Sequence, residues 1–90
     1  MPSNVFLVLQ SNDDTRAIVD AIEIDNPKAT ITRQPAMVRI DAPNRLVVRR
    51  ETVEEQLGNP FDLQAMHVNL VTLGGNVEED ADEFALYWDN

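Results

Sequence analysis

The sequence predicts an α+β fold, a small two-lobed domain in which antiparallel strands combine with short helices. Three observations lead to this prediction: the hydrophobic period changes from 3.6 to 2 after the first helical segment, the helical segments are short and bounded by capping or stop residues, and turn residues separate the alternating segments. The predicted order is β-α-β-β-β followed by α-β-β. We expect a single domain over residues 1–90, with sub-lobes at 1–50 and 51–90.

A buried strand and an amphipathic helix open the chain. Residues 5–9 form a short apolar run rich in β-branched and aromatic side chains, which is typical of a buried strand. Polar residues 11–14 then offer several N-cap candidates, and apolar residues recur at helical spacing until Asn26 and Pro27. This pattern predicts a helix over residues 13–25.

Three strands are predicted in the rest of the first half. Apolar and polar residues alternate over residues 28–33 and again over 37–41, which predicts two strands. Residues 41–44 have the composition of a turn. Residues 45–50 are therefore predicted to form a third strand that completes a hairpin with the preceding one.

The second half begins with two helical segments. Thr52 and Glu55 have the spacing of a capping box, so a short helix is predicted to run to Leu57 and to end at Gly58. Asp62 is positioned to cap a further helical turn.

A strand with apolar side chains on both faces is predicted over residues 67–73. A strand of this kind is buried or covered by a partner. Gly74, Gly75 and Asn76 form the predicted turn after it, and an acidic stretch follows. Residues 84–88 are predicted to form the last strand.

Charge is distributed unevenly along the chain, whose net charge is −9. The first fifty residues contain all seven Lys and Arg residues and six acids, whereas the last forty contain ten acids and no Lys or Arg. Such a chain is a poor ligand for nucleic acid or anionic lipid, since phosphate binding depends on clustered Lys and Arg. The acidic half fits either a solvated surface or electrostatic steering toward a basic patch on a protein partner.

The composition also restricts the cellular location. The chain has no cysteine, no apolar run close to the ~20 residues of a membrane span, and no signal-peptide pattern at residues 1–4. We therefore expect a soluble, cytoplasmic protein that has no membrane partner.

The sequence contains no recognisable catalytic or ligand-binding motif. His67 is the one histidine and has no metal-ligating residue at helical spacing before it, and the three glycines match no phosphate-binding pattern. We therefore expect no catalytic residue, no metal, no cofactor and no tightly bound small molecule. The sequence favours a binding or regulatory module, while its sixteen acids leave a small carboxylate enzyme as a further alternative.

Several segments occur in the order and spacing of a known family. They are RLVVRRETVEEQLG at 45–58, AIE at 21–23, DNP at 25–27, PAM at 35–37, NL at 69–70 and GN at 75–76. On these segments, the chain resembles the regulatory, or coupling, proteins of bacterial multicomponent phenol hydroxylases. These belong to the effector proteins of the soluble diiron monooxygenases that act on methane, toluene and phenol. The resemblance covers nearly the whole chain.

The resemblance implies a non-catalytic regulatory component that carries neither a metal nor an organic cofactor. Its implied partner is the hydroxylase component, on which it docks near the diiron site. There it would raise the coupling of NADH oxidation to phenol hydroxylation. A generic acidic protein-interaction module, unrelated to oxygenases, is the alternative hypothesis.

The predicted partner interface lies on the strand at 67–73 and the turn after it. This strand is apolar on both sides and leads into a glycine pair, which permits close approach of another backbone. The predicted contact residues are Asn69, Val71, Gly74, Gly75 and Asn76, assisted by Arg49 and Arg50.

Overall fold

Antiparallel strands and short helices build the fold of residues 4–88, the part of the chain that this computed structural model describes. The elements are β1 (Asn4–Gln10), α1 (Asp13–Asp25), β2 (Thr30–Arg33), β3 (Met37–Pro43), β4 (Arg45–Arg49), α2 (Arg50–Leu57), a 3₁₀ helix (Leu63–Asn69), β5 (Leu70–Gly74), β6 (Asn76–Glu79) and β7 (Glu83–Tyr87). The predicted α+β class is confirmed. The structure adds one strand, β6, where the sequence predicted only an acidic stretch after the turn.

The strands form two antiparallel sheets that exchange segments between the halves of the chain. The first sheet has the order β2-β3-β1-β5, and the second has the order β4-β7-β6. Strand β1 is central in the first sheet, where Leu7 lies opposite Ile40 of β3 and Leu73 of β5. The first half therefore contributes β4 to the second sheet, and the second half contributes β5 to the first.

The predicted hairpin at residues 45–50 is wrong. Strand β3 continues through the supposed turn to Pro43, which lies opposite Asn4, so only Asn44 separates β3 from β4. A single residue cannot reverse the chain into a hairpin, which needs a loop of two or more residues. Asn44 instead adopts a φ of 67°, and β4 leaves the first sheet to pair with β7.

Helix α1 spans the predicted residues, and its N-terminus carries a capping box. The Asn12 side chain accepts a hydrogen bond from the Thr15 N–H at 3.0 Å, and Thr15 Oγ1 accepts one from the Asn12 N–H at 3.1 Å. Asn12 is thus the residue of the polar run 11–14 that caps the helix.

The capping box predicted at Thr52 and Glu55 is wrong. Helix α2 begins at Arg50, directly after β4, so Thr52 is buried inside the helix. The Arg50 N–H is satisfied by the carbonyl oxygen of Asp82 at 2.9 Å instead of by a side chain. The predicted end of this helix is confirmed, because Gly58 forms a left-handed C-cap with a φ of 76°.

A single hydrophobic core joins both sheets and the helices that cover them. Strand β1 contributes three fully buried side chains, and every element except β2, β5 and β6 adds at least one buried apolar residue to the same cluster. The core residues from the second half include Val53, Leu63, Met66, Phe84 and Leu86. The division into sub-lobes at 1–50 and 51–90 stays a prediction, and we propose that these sub-lobes unfold together because they share this cluster.

The side chain of Asn26 closes the outer edge of β4. Its Nδ2 donates to the carbonyl oxygens of Ile22 at 2.8 Å and Val47 at 2.7 Å, and its Oδ1 accepts from the Val47 N–H at 3.0 Å. The primary amide thus takes the place of a neighbouring strand at Val47. It also fixes the end of α1 against the second sheet, since β4 is the edge strand there.

Replacing Asn26 with alanine should lower the free energy of unfolding by about 1–3 kcal/mol, because three hydrogen bonds to the backbone are lost together. Urea denaturation of the two proteins measures the difference. Asn59→Ala is the matched control, since Asn59 makes one exposed 3.4 Å contact to the Leu57 carbonyl and should change stability little. Equal effects of the two substitutions would contradict the role given to Asn26.

The outer face of the first sheet carries a packed aromatic ring. Phe6 lies opposite Gly74, and a Cβ atom at Gly74 would overlap the Phe6 ring. The Arg39 guanidinium lies 4.4 Å from the ring centroid and forms a two-nitrogen ion pair with Asp41. The hydrogen bond and the charge of Asp41 raise the pKa of Arg39, whose guanidinium is charged over the ring in any case.

Gly74→Ala should therefore destabilise the protein by about 1–3 kcal/mol through overlap with Phe6. In a Phe6→Leu background this cost should shrink, because the smaller side chain leaves room for the new methyl group. Gly58→Ala provides the control, since nothing lies near its Cβ position and its cost arises only from a φ of 76°. Thermal or urea unfolding of the four combinations tests this, and an unchanged Gly74→Ala cost in the Phe6→Leu background would be inconsistent with ring overlap.

Candidate functional site

A β-bulge shapes the edge strand β5. Val8 lies opposite Thr72 and Leu9 lies opposite Leu70, so Val71 is an extra residue without a partner on β1. Bulges at sheet edges redirect side chains, and Val71 is 48% exposed. The sequence predicts apolar side chains on both faces of this strand. Leu70 and Leu73 pack against the core, whereas Val71 and Thr72 are exposed, and coverage of Val71 by a partner stays a prediction.

The residues just before β5 extend this exposed surface. Val68 is 79% exposed, the highest value among the large apolar side chains of residues 4–88. Asn69 follows it and accepts a 2.9 Å hydrogen bond from the Asn12 side chain at the start of α1. A groove of about 340 Å³ runs beside these residues, with the partly buried side chains of Leu57 and Phe61 among its lining. We call residues 68–76 the β5 edge.

The glycine pair connects the two sheets. Gly75 has a φ of 137°, which favours glycine, and a Cβ there would lie 3.1 Å from Val5 Cγ1. Gly74 is already constrained by Phe6. Both glycines therefore have a structural reason within this chain, and a role in contact with a partner stays a prediction. Asn76 begins β6 and is exposed.

Arg49 and Arg50 lie away from the glycine turn. Asn76 pairs with Tyr87 at one end of β7, whereas Arg49 pairs with Glu83 at the other, roughly 13 Å away along the strand. Arg50 makes a 2.8 Å ion pair with Asp82, and Arg49 lies 4.0 Å from the Glu83 carboxylate. Asn69, Val71 and the turn thus lie along one sheet edge, over about 16 Å of extended chain, whereas Arg49 lies on β4 of the second sheet and Arg50 begins α2.

His67 links the 3₁₀ helix to the second sheet. Its Nε2 lies 2.8 Å from Glu79 Oε2, and its ring meets the edge of Phe84 with centroids 5.8 Å apart. Among the side chains described for residues 4–88, no group of three or more His, Cys, Asp or Glu could hold a metal ion. The helices in this range are also too short or too polar to span a bilayer. His67 holds two structural elements together.

Two residues of this surface were not predicted as contacts from the sequence. The sequence predicts Val68 inside a buried or partner-covered strand, whereas the structure places it on the 3₁₀ helix with its side chain exposed. Asn12 was visible only as one of several capping candidates. No local pattern could show that its side chain reaches Asn69, because the two residues lie 57 positions apart in the sequence.

Known proteins closely match this chain in sequence and structure. The stimulatory component DmpM of phenol 2-monooxygenase from Pseudomonas sp. (strain CF600) is 52% identical over 90 residues, which cover all of both chains. A chain in a solved phenol hydroxylase–regulatory protein complex is 49% identical, with a TM-score of 0.91 over 97% of this chain and 100% of that one.

A more distant protein shares the fold. The soluble methane monooxygenase regulatory protein B is 20% identical, with a TM-score of 0.73 over 96% of this chain and 65% of that one. The model of the MmoB/DmpM family matches residues 3–87. With nearly the whole chain matched, this protein belongs to the MmoB/DmpM family.

Proposed function

We propose that this chain is the regulatory component of a multicomponent phenol monooxygenase, and that it binds the hydroxylase component and promotes efficient, coupled hydroxylation of phenols. The observation that carries this proposal is the 52% identity, over the full length of both chains, to a stimulatory component of phenol 2-monooxygenase. A TM-score of 0.91 to a chain from a phenol hydroxylase–regulatory protein complex supports the same partner.

In this proposal the chain regulates by binding and performs no chemistry of its own. A protein without a catalytic group can change a partner's activity only by binding one of its conformations more tightly than another. A 10- to 100-fold shift between two hydroxylase conformations requires about 1.4–2.8 kcal/mol of preferential binding, which an interface of ordinary size supplies. The oxidation of NADH and the hydroxylation of phenol would occur in the partner components, in the cytoplasm.

The β5 edge is the surface that we propose for hydroxylase contact. It combines two exposed valines, Val68 and Val71, with a bulge that turns one of them outward. Apolar side chains exposed to this degree are typical of contact surfaces when they cluster. The proposed contact residues on this edge are Asn69, Val71, Gly74, Gly75 and Asn76.

Arg49 and Arg50 form a second part of the proposed contact. They lie at the far end of β7 and already pair with Glu83 and Asp82. An ordinary interface buries about 800 Å² on each partner. A patch of this area is wider than the distance between the arginines and the glycine turn, so one interface can include both. Exposed ion pairs of this kind contribute little stability, so these arginines are free to exchange partners on binding.

Titration of this protein into purified hydroxylase and reductase should raise the yield of hydroxylated phenol per NADH consumed, and the rise should saturate at a fixed ratio to the hydroxylase. Product formation and NADH oxidation are measured in parallel. A hydroxylase and reductase already shown to respond to a regulatory component serve as the positive control. A flat response at every ratio would contradict the proposal and favour a generic acidic interaction module.

Replacing Val71 with serine should weaken hydroxylase binding about fivefold or more, since truncation of a well-placed apolar contact costs about 1 kcal/mol or more. Ile24→Ser is the matched control, because Ile24 is also a large exposed apolar residue but lies on α1. Both variants should keep the wild-type unfolding midpoint. Isothermal titration calorimetry with the hydroxylase measures the affinities, and equal affinities for the two variants would remove Val71 from the interface.

A further inference from the structure

The amide of Asn12 has a fixed orientation. Its Oδ1 accepts the hydrogen bond from the Thr15 N–H at 3.0 Å, and only an oxygen can accept there. Nδ2 of Asn12 must therefore lie on the other side of the amide, where it donates to Asn69 Oδ1 at 2.9 Å. The helix cap thus determines which atom Asn12 offers to Asn69.

The orientation of Asn69 follows from that of Asn12. Because a donor faces it, Asn69 presents its oxygen to Asn12 and directs its own NH₂ group elsewhere. Among the protein groups that the structure describes, none makes a hydrogen bond to the Nδ2 of Asn69. The capping box of α1 therefore determines which end of the Asn69 amide faces Asn12, although Asn69 lies 57 positions later in the chain.

The surroundings of this NH₂ group resemble the centre of a contact surface. Val68, directly before Asn69, is 79% exposed, and the bulged Val71 lies just beyond it. Protein interfaces combine apolar contact with a small number of directed hydrogen bonds, which fix the register of the partners. The Asn69 NH₂ group, a hydrogen-bond donor of fixed orientation between two exposed valines, provides this combination of apolar contact and a directed hydrogen bond.

We propose that Asn12 is a positioning residue for partner binding: it orients the Asn69 amide so that the NH₂ group is presented to a carbonyl oxygen of the hydroxylase. This inference rests on the proposed function. A neutral carbonyl fits better than a carboxylate, because the chain has a net charge of −9 and the exposed Asp13 adjoins Asn12.

Two substitutions at Asn12 separate this role from helix capping. Serine and aspartate are both good N-caps, so each keeps the hydrogen bond from Thr15 and the wild-type unfolding midpoint. Serine is too short to reach Asn69 and leaves its amide free to rotate. Aspartate offers an acceptor in place of the donor, so the Asn69 amide turns around and presents its oxygen to the partner.

Asn12→Ser should weaken hydroxylase binding about 3- to 10-fold, and Asn12→Asp at least as much. Ile24→Asp is the charge control, because it adds the same charge at an exposed position near the end of α1, away from Asn12 and the β5 edge, and should leave binding unchanged. In the Asn69→Ala background, neither change at Asn12 should weaken binding further, since the two residues act through one amide. The side-chain ¹⁵N resonance of Asn69 should shift in Asn12→Ser without any partner present.

The outcomes are distinguishable from failure of the proposed function. Wild-type protein that binds the hydroxylase, together with Asn12 variants of equal affinity, would overturn this inference alone. Losses at Asn12 and Asn69 that add independently would also overturn it. If the wild-type protein does not bind the hydroxylase, the proposed function is overturned. The inference that Asn69 donates to a hydroxylase carbonyl oxygen is then overturned as well.

Discussion

The pairing of β1 with two strands from opposite halves of the chain is the constraint on which the structure depends. Val5, Leu7 and Leu9 on β1 are fully buried, and each flanking strand protects one edge of the β1 backbone. Because β5 comes from the second half, this pairing places residues 68–76 at the border of a sheet that residues 4–43 otherwise build. The exposed surface on β5 exists because β1 has no other neighbour on that side.

The second sheet is fixed to the first by polar as well as apolar contacts. Its edge strand β4 would expose the backbone of Val47, and the amide of Asn26 satisfies both of its hydrogen-bonding groups. At the far side, His67 and Glu79 connect the 3₁₀ helix to β6. The fold thus uses single side chains at the places where regular pairing ends. Among the residues that the structure describes, the buried core is apolar except for Thr15 and Thr52.

Elements with one buried face were predictable from the sequence, and those defined by tertiary contacts were not. Strand β1 has a continuous apolar run and helix α1 has apolar residues at helical spacing, and the structure confirms both predictions. Strand β6 has four exposed residues and therefore no alternation to detect. The capping box at Thr52 failed because the start of α2 depends on where β4 ends against β7. For the site, the two-faced apolar pattern indicated β5, but neither the bulge at Val71 nor the contact between Asn12 and Asn69 has a local signal.

The distance in sequence between β1 and β5 has a consequence for folding. The first sheet is complete only when residues 70–74 pair with residues 4–10. The indole N–H of Trp88 also donates a hydrogen bond to the carbonyl oxygen of Asn4, which lies 84 positions earlier in the chain. Closing such long loops costs entropy before any contact is gained, so the chain should fold slowly for its size. During synthesis, one edge of β1 stays open until nearly the whole protein has left the ribosome, and the nascent chain is most exposed to aggregation in that interval.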